Sequence, residues 1–104
     1  MTKGRIYISG PISGLSRPEY TLKFAIAEFW LDDGYWKVIN PVRLLPCRWP
    51  WLYRLLGYRL TLAYDLFWLR RCTHIAMLQG WERSRGARLE HRVATKLKLK
   101  FIML

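Results

Sequence analysis

Four short runs of β-branched, aromatic and apolar residues recur along the chain, each separated from the next by a stretch long enough to hold a helix. They are RIYIS at 5–9, WKVIN at 36–40, HIAML at 74–78 and LKFIM at 99–103. Gly10-Pro11 stops the first and Pro41 the second, as turn-forming residues do after strands,. Strands alternating with helices favour parallel pairing through right-handed crossovers, and so an α/β domain. With 104 residues the chain has room for one such domain with a sheet of four or five strands,.

The intervening stretches carry helix signals. Pro18 suits a first helical position and Glu19 an acid-favouring first turn, which predicts a helix over 18–32,. Leu22, Ala25, Ile26, Phe29 and Trp30 recur there at three- and four-residue spacing and form its expected inner face,. A second helix is expected over 60–71, apolar on most sides but containing Asp65. Ser84 is a candidate N-cap for a third, running to about residue 98,. Residues 42–58 read as irregular. Within them an aromatic and basic insert at about 44–58 interleaves Trp49, Trp51, Tyr53 and Tyr58 with Arg48 and Arg54. Such a segment suits a lid over a base, a nucleic-acid patch, or packing and a dimer contact; the last is the expectation adopted.

Composition narrows the chemistry. Lys and Arg number 18 against 7 acids, a net charge of +11. That surplus is either a plain solvated surface or an attraction for nucleotides, nucleic acid or an anionic membrane surface. No recognised nucleic-acid-binding motif accompanies it, so nucleic acid is a permitted but not favoured partner. Glu19, Glu28, Asp32, Asp33, Asp65, Glu82 and Glu90 are all the carboxylates from which catalysis can draw. Cys47 and Cys72 make no disulfide framework, and His74 and His91 lack the company of a zinc site, so neither metal nor cofactor is expected,. The opening MTKGRIYISG has too short an apolar run for a signal peptide, and the stretch 44–62 is broken by Pro46, Arg48, Pro50, Arg54 and Arg59,. A cytoplasmic protein without a membrane partner is the expectation.

In open parallel sheets ligands sit at the carboxyl ends of the strands, where the loops 10–17, 40–48 and 79–84 converge. Glu90 shares a helix face with Gly86, Val93 and Leu97, a face that should pack on the sheet,. A carboxylate there either pairs with a base such as Arg83 or Arg88, or sits beside a ligand for which small Gly86 and Ala87 leave room. Asp65, within LTLAYDLFWL, belongs to a helix end, a subunit interface or a functional site. The loop GPISG is an ordinary glycine-rich turn or an anion cradle with Ser13 and free N–H groups,. Ser84 is an N-cap or a phosphate contact.

Taken together, YISGPISG at 7–14, Asn40-Pro41, Asp65, LRRCTHIAMLQGWERSRGARLE at 69–90 and Ala94 resemble the nucleoside 2-deoxyribosyltransferase-like superfamily, in its small phage- and prophage-type branch, DUF4406. The resemblance covers nearly the whole chain outside about 44–58. It implies a flavodoxin-like three-layer domain and an enzyme that breaks or transfers the N-glycosidic bond of 2′-deoxynucleosides or their 5′-monophosphates. Glu90 matches the family's nucleophile, Tyr7 the tyrosine that orients it, and Asp65 the acid that assists proton transfer. Ser84 matches a serine that binds the 5′-phosphate, and Gly10 a pocket glycine. The expected substrate contacts are Gly10, Pro11, Ser13, Asn40, Ser84 and Gly86. A homo-oligomer is implied by the resemblance and by the apolar second helix. The alternative is a non-catalytic protein that binds a nucleotide or a nucleotide-derived signal.

Overall fold

The computed structural model describes residues 4–11, 15–32, 34, 36–43 and 50–104. Its elements follow one another as β1 (Gly4–Ser9), α1 (Arg17–Leu31), β2 (Trp36–Ile39), α2 (Pro50–Leu69), β3 (His74–Met77), α3 (Arg85–Lys96) and β4 (Lys100–Met103). Short 3-10 turns at Pro41–Arg43 and Trp81–Arg83 follow β2 and precede α3. The four strands form one sheet in the order β2-β1-β3-β4 with every pair parallel. This is a three-layer α/β arrangement compatible with the flavodoxin-like class. The order reverses at β1, so the crevice between the carboxyl ends of β1 and β3 is the place where such sheets take ligands.

Alternation along the strands divides the core. Ile6, Ile8, Ala76 and Leu78 pack under α1 with Phe24, Ala27 and Leu31. Tyr7, Ile75 and Met77 face the other way, against Leu69 of α2 and Ala94 of α3. β1 is paired on both edges and covered on both faces, as central parallel strands are,. Its side chains from Ile6 to Ser9 are fully buried.

Two expectations are corrected. The residues from Pro50, read as irregular, are helical: α2 is two helical pieces that meet at a kink at Gly57 (φ 81°, ψ 172°), and the second piece is the helix expected from about residue 60. A positive φ is open to glycine at little cost, so Gly57 can stand between the two pieces. Thr61 supports the junction by donating from its hydroxyl to the Gly57 carbonyl at 2.9 Å. Part of the aromatic and basic insert is therefore helical, while 44–49 lies outside the described residues.

The inner face of α1 also differs. Phe24, Ala27 and Leu31 are buried, with Tyr20 partly so. Leu22, Phe29 and Trp30 are 61, 79 and 74% exposed, and Ile26 lies outward with them. Both sets have helical spacing, so periodicity alone cannot rank them. The sheet selects the set whose spacing of four, three and four residues puts it on one narrow stripe.

Truncating the two phenylalanines separates these faces. Phe24→Ala should cost about 3–5 kcal/mol by leaving a core cavity, whereas Phe29→Ala should stay within about 0.5 kcal/mol. Denaturant unfolding of the two variants measures the contrast.

Candidate functional site

Strand alternation puts Tyr7 and Ser9 on the same face of β1, toward α2 and α3. α3 brings the third member. The Ser84 hydroxyl oxygen accepts from the Ala87 amide at 3.3 Å and caps the helix, so Ala87, Glu90 and Ala94 face the sheet. His91 is clamped beside them, stacked on Trp81 (ring centroids 4.4 Å apart, planes 8° apart) and edge-on to Phe101 at 4.7 Å. Cap and clamp fix how the helix is rotated, and hence where Glu90 points.

Glu90 is 6% exposed. The Tyr7 hydroxyl donates to its Oε2 at 2.5 Å and the Ser9 hydroxyl to its Oε1 at 2.7 Å. Both carboxylate oxygens thus have a buried donor. Burial pushes the Glu90 carboxyl up to about 7, and the hydrogen bonds from Tyr7 and Ser9 pull it back,. The Tyr7 phenol is raised well above its ordinary value, first by burial and then by the neighbouring Glu90 and Asp65 charges.

Asp65 lies in the second piece of α2, one turn before its carboxyl end. Thr61 and Leu69, one turn to either side, are also buried, so Asp65 belongs to the helix's inner stripe,. It is 7% exposed, and its Oδ1 has no hydrogen-bond partner among the described residues. Burial and the Glu90 charge lift its carboxyl to about 8. Two buried acids on two helices therefore lie near enough for the charge of one to raise the carboxyl of the other,.

The remaining expected contacts divide. Gly10 is buried, and a Cβ there would come within 2.8 Å of the Leu78 Cβ, so close packing of the β1 and β3 ends requires glycine. Pro11 reaches the turn after β3, its ring 3.7 Å from where a Cβ on Gly80 would stand. Gly86 is half-buried in the first turn of α3. Asn40 is buried and committed to the scaffold: its Nδ2 donates to Glu28 Oε1 and its Oδ1 accepts from the Val42 amide, each at 3.0 Å. Ser13 lies outside the described residues. Ser9 escaped the sequence reading. The available signal was a hydroxyl two residues after Tyr7 on the same face of an otherwise apolar strand.

Other nucleophiles are poorly placed. Cys72 is buried, donates from its thiol to the Trp68 carbonyl at 3.4 Å, and has its thiol pushed up to about 11 by burial. A thiol so held carries almost no thiolate at neutral pH. No group of three or more His, Cys, Asp or Glu side chains that could hold a metal is gathered among the described residues, and no described helix is long and apolar enough to cross a membrane. A cavity of about 500 Å³ opens beside the ends of β3 and β4, where Gln79, Gly80, Trp81, Arg83 and Met103 are among its walls. Its lining does not include Tyr7, Asp65 or Glu90.

The chain belongs to the family described as "Domain of unknown function (DUF4406)", whose profile matches residues 4–103. A comparison with curated proteins returns no match.

The two raised acids make stability depend on pH with a definite sign. Each binds its proton more tightly folded than unfolded, so folding is favoured at low pH and the advantage is lost as pH rises from about 4 toward 7 and 8,. Each group contributes a fall of up to about 1.4 kcal/mol per pH unit within its window. Asp65→Asn should flatten this fall between pH 5 and 8, read as the difference from wild type in denaturant unfolding across that range.

Proposed function

We propose that this DUF4406 chain cleaves or transfers the N-glycosidic bond of 2′-deoxynucleosides or their 5′-monophosphates. The observation that carries the reading is a buried carboxyl, Glu90, gripped by the Tyr7 and Ser9 hydroxyls, with a second buried acid, Asp65, whose Oδ1 has no partner among the described residues. Burial raises both carboxyls and the Glu90 charge raises Asp65 further, so ionisation of one favours the proton on the other, which is the division of labour that departure of a nucleobase requires,. The resemblance of YISGP, Asp65 and the GWERSRGARLE segment to nucleoside 2-deoxyribosyltransferases points to the same chemistry.

In the proposed reaction a Glu90 oxygen attacks the sugar C1′ as the bond from C1′ to the base nitrogen breaks. The Asp65 proton goes to the departing base, leaving Asp65 as a carboxylate. Water or a second base then attacks C1′ and displaces Glu90, giving its proton to Asp65 and restoring the starting state. The sugar passes through an oxocarbenium-like transition state, which a carboxylate at C1′ stabilises. Tyr7 and Ser9 hold Glu90 in one orientation, and each carboxylate oxygen keeps a second lone pair for the sugar.

A second reading, a nucleotide binder without turnover, draws on the cavity of about 500 Å³ whose walls omit Glu90. Stabilisation by nucleotides that survives Glu90→Ala, together with absence of base release, supports that reading over the first.

Base release from deoxynucleosides and their 5′-monophosphates tests the enzyme. Wild type should release base, and Glu90→Ala should lower the rate by at least about a hundredfold. The rate should follow a bell in pH, rising as the pair of acids loses its first proton and falling as it loses the second, with both limbs above the usual carboxylate range,. Wild-type protein that releases no base from any of these substrates overturns the proposal.

A further inference from the structure

The outer face of α3 carries a charge pattern that helix formation does not explain. Ala87, Glu90 and Ala94 face the sheet. On the opposite side lie Arg85, Arg88, Arg92 and Lys96, all exposed and spaced by three, four and four residues,. Lys98 and Lys100, also exposed, continue the positive charge beyond the helix end. The one acid in α3 is the buried Glu90, so nothing on the helix surface neutralises the row. None of the four side chains makes an ion pair among the described residues.

Such a row works against its own helix. Like charges three and four residues apart repel, whereas a helix that is merely solvated gains by interleaving acids with bases. Arg85 and Arg88 also stand at the amino-terminal end, where the helix dipole is positive, and the first turn holds no acid to offset it,. A local pattern that costs stability in two ways, with no compensating contact in the fold, marks a surface shaped by a partner.

We propose that this face of α3 docks on the phosphate backbone of duplex DNA, independently of the chemistry proposed for Glu90. The row from Arg85 to Lys96 is about 16 Å long, and duplex DNA presents one phosphate charge per about 1.7 Å of its axis, so the row meets several phosphates at once. It contains no aromatic side chain on which an unpaired base stacks, and the nearby rings of Trp81 and His91 are occupied with each other,. Contacts confined to phosphates fit a duplex and carry no sequence preference.

Binding of a labelled random-sequence duplex, followed by fluorescence anisotropy between about 50 and 200 mM salt, tests the inference. The variant Arg88→Gln/Arg92→Gln/Lys96→Gln is compared with a control of equal charge, Arg5→Gln/Lys23→Gln/Lys37→Gln, which changes exposed residues of β1, α1 and β2. Glutamine keeps helix propensity, and circular dichroism checks that both variants fold. Wild type should bind with an affinity that falls steeply with salt. The α3 variant should lose affinity on the order of tenfold or more, with a salt slope shallower by roughly 3, while the control loses much less. Equal losses in the two variants, no binding by wild type, or tighter binding to single-stranded DNA or to anionic phospholipid vesicles would each overturn the proposal.

Discussion

One buried carboxyl organises this molecule. Glu90 sits between a helix and a sheet with almost no contact with water, a position that is costly for an acid unless its oxygens are bonded. Two hydroxyls from a single strand meet that need, and they reach it because Tyr7 and Ser9 are separated by one residue, Ile8, that turns to the opposite face of the sheet. The bonding is demanding in geometry. α3 must approach β1 at one depth and one rotation, which the Ser84 cap and the packing of His91 between Trp81 and Phe101 provide. Hydrogen bonds to an ionised group are among the stronger ones in a protein, so the arrangement holds the helix as much as the helix holds the acid.

Asp65 gives the site its asymmetry. Both acids are raised by burial, and at Glu90 the Tyr7 and Ser9 hydroxyls relieve it on both oxygens. Asp65 has an orphaned oxygen and a charged neighbour, and both favour keeping its proton. The environment, not the residue type, raises both acids above the ordinary carboxylate range,.

Much of this was legible in the sequence, because strands and helices of a parallel sheet announce themselves by short apolar runs and by caps. Pro18 and Ser84 marked two helix starts to within a residue or two. Glu90 and Asp65 stood out as acids on faces expected to be apolar. The failures have physical causes. α1 carries two apolar stripes of similar spacing, and only the shape of the sheet decides which is buried. The helical piece from Pro50 was obscured because Gly57, with its positive φ, separates it from the regular helix that follows. Asn40 reads as a loop residue facing a ligand, yet its amide is spent on Glu28 and Val42, a use visible only once α1 lies beside it. Ser9 was hidden by its ordinariness, since a serine ending a strand is usually just a turn residue.

α3 joins two surfaces with opposite demands. Its inner side is dictated by packing: small residues at 87 and 94 let the helix approach, and Glu90 fills the gap between them. Its outer side is exposed, so packing leaves the choice there open, and yet four of the five exposed residues, Arg85, Arg88, Arg92 and Lys96 beside Thr95, are basic. The anchors of the inner side come from other elements: two hydroxyls from β1, a cap before the helix, and rings from the preceding turn and β4. Charge on the outer side can therefore change without moving Glu90. Whatever the basic row meets, it meets on a scaffold already held in place by the site behind it.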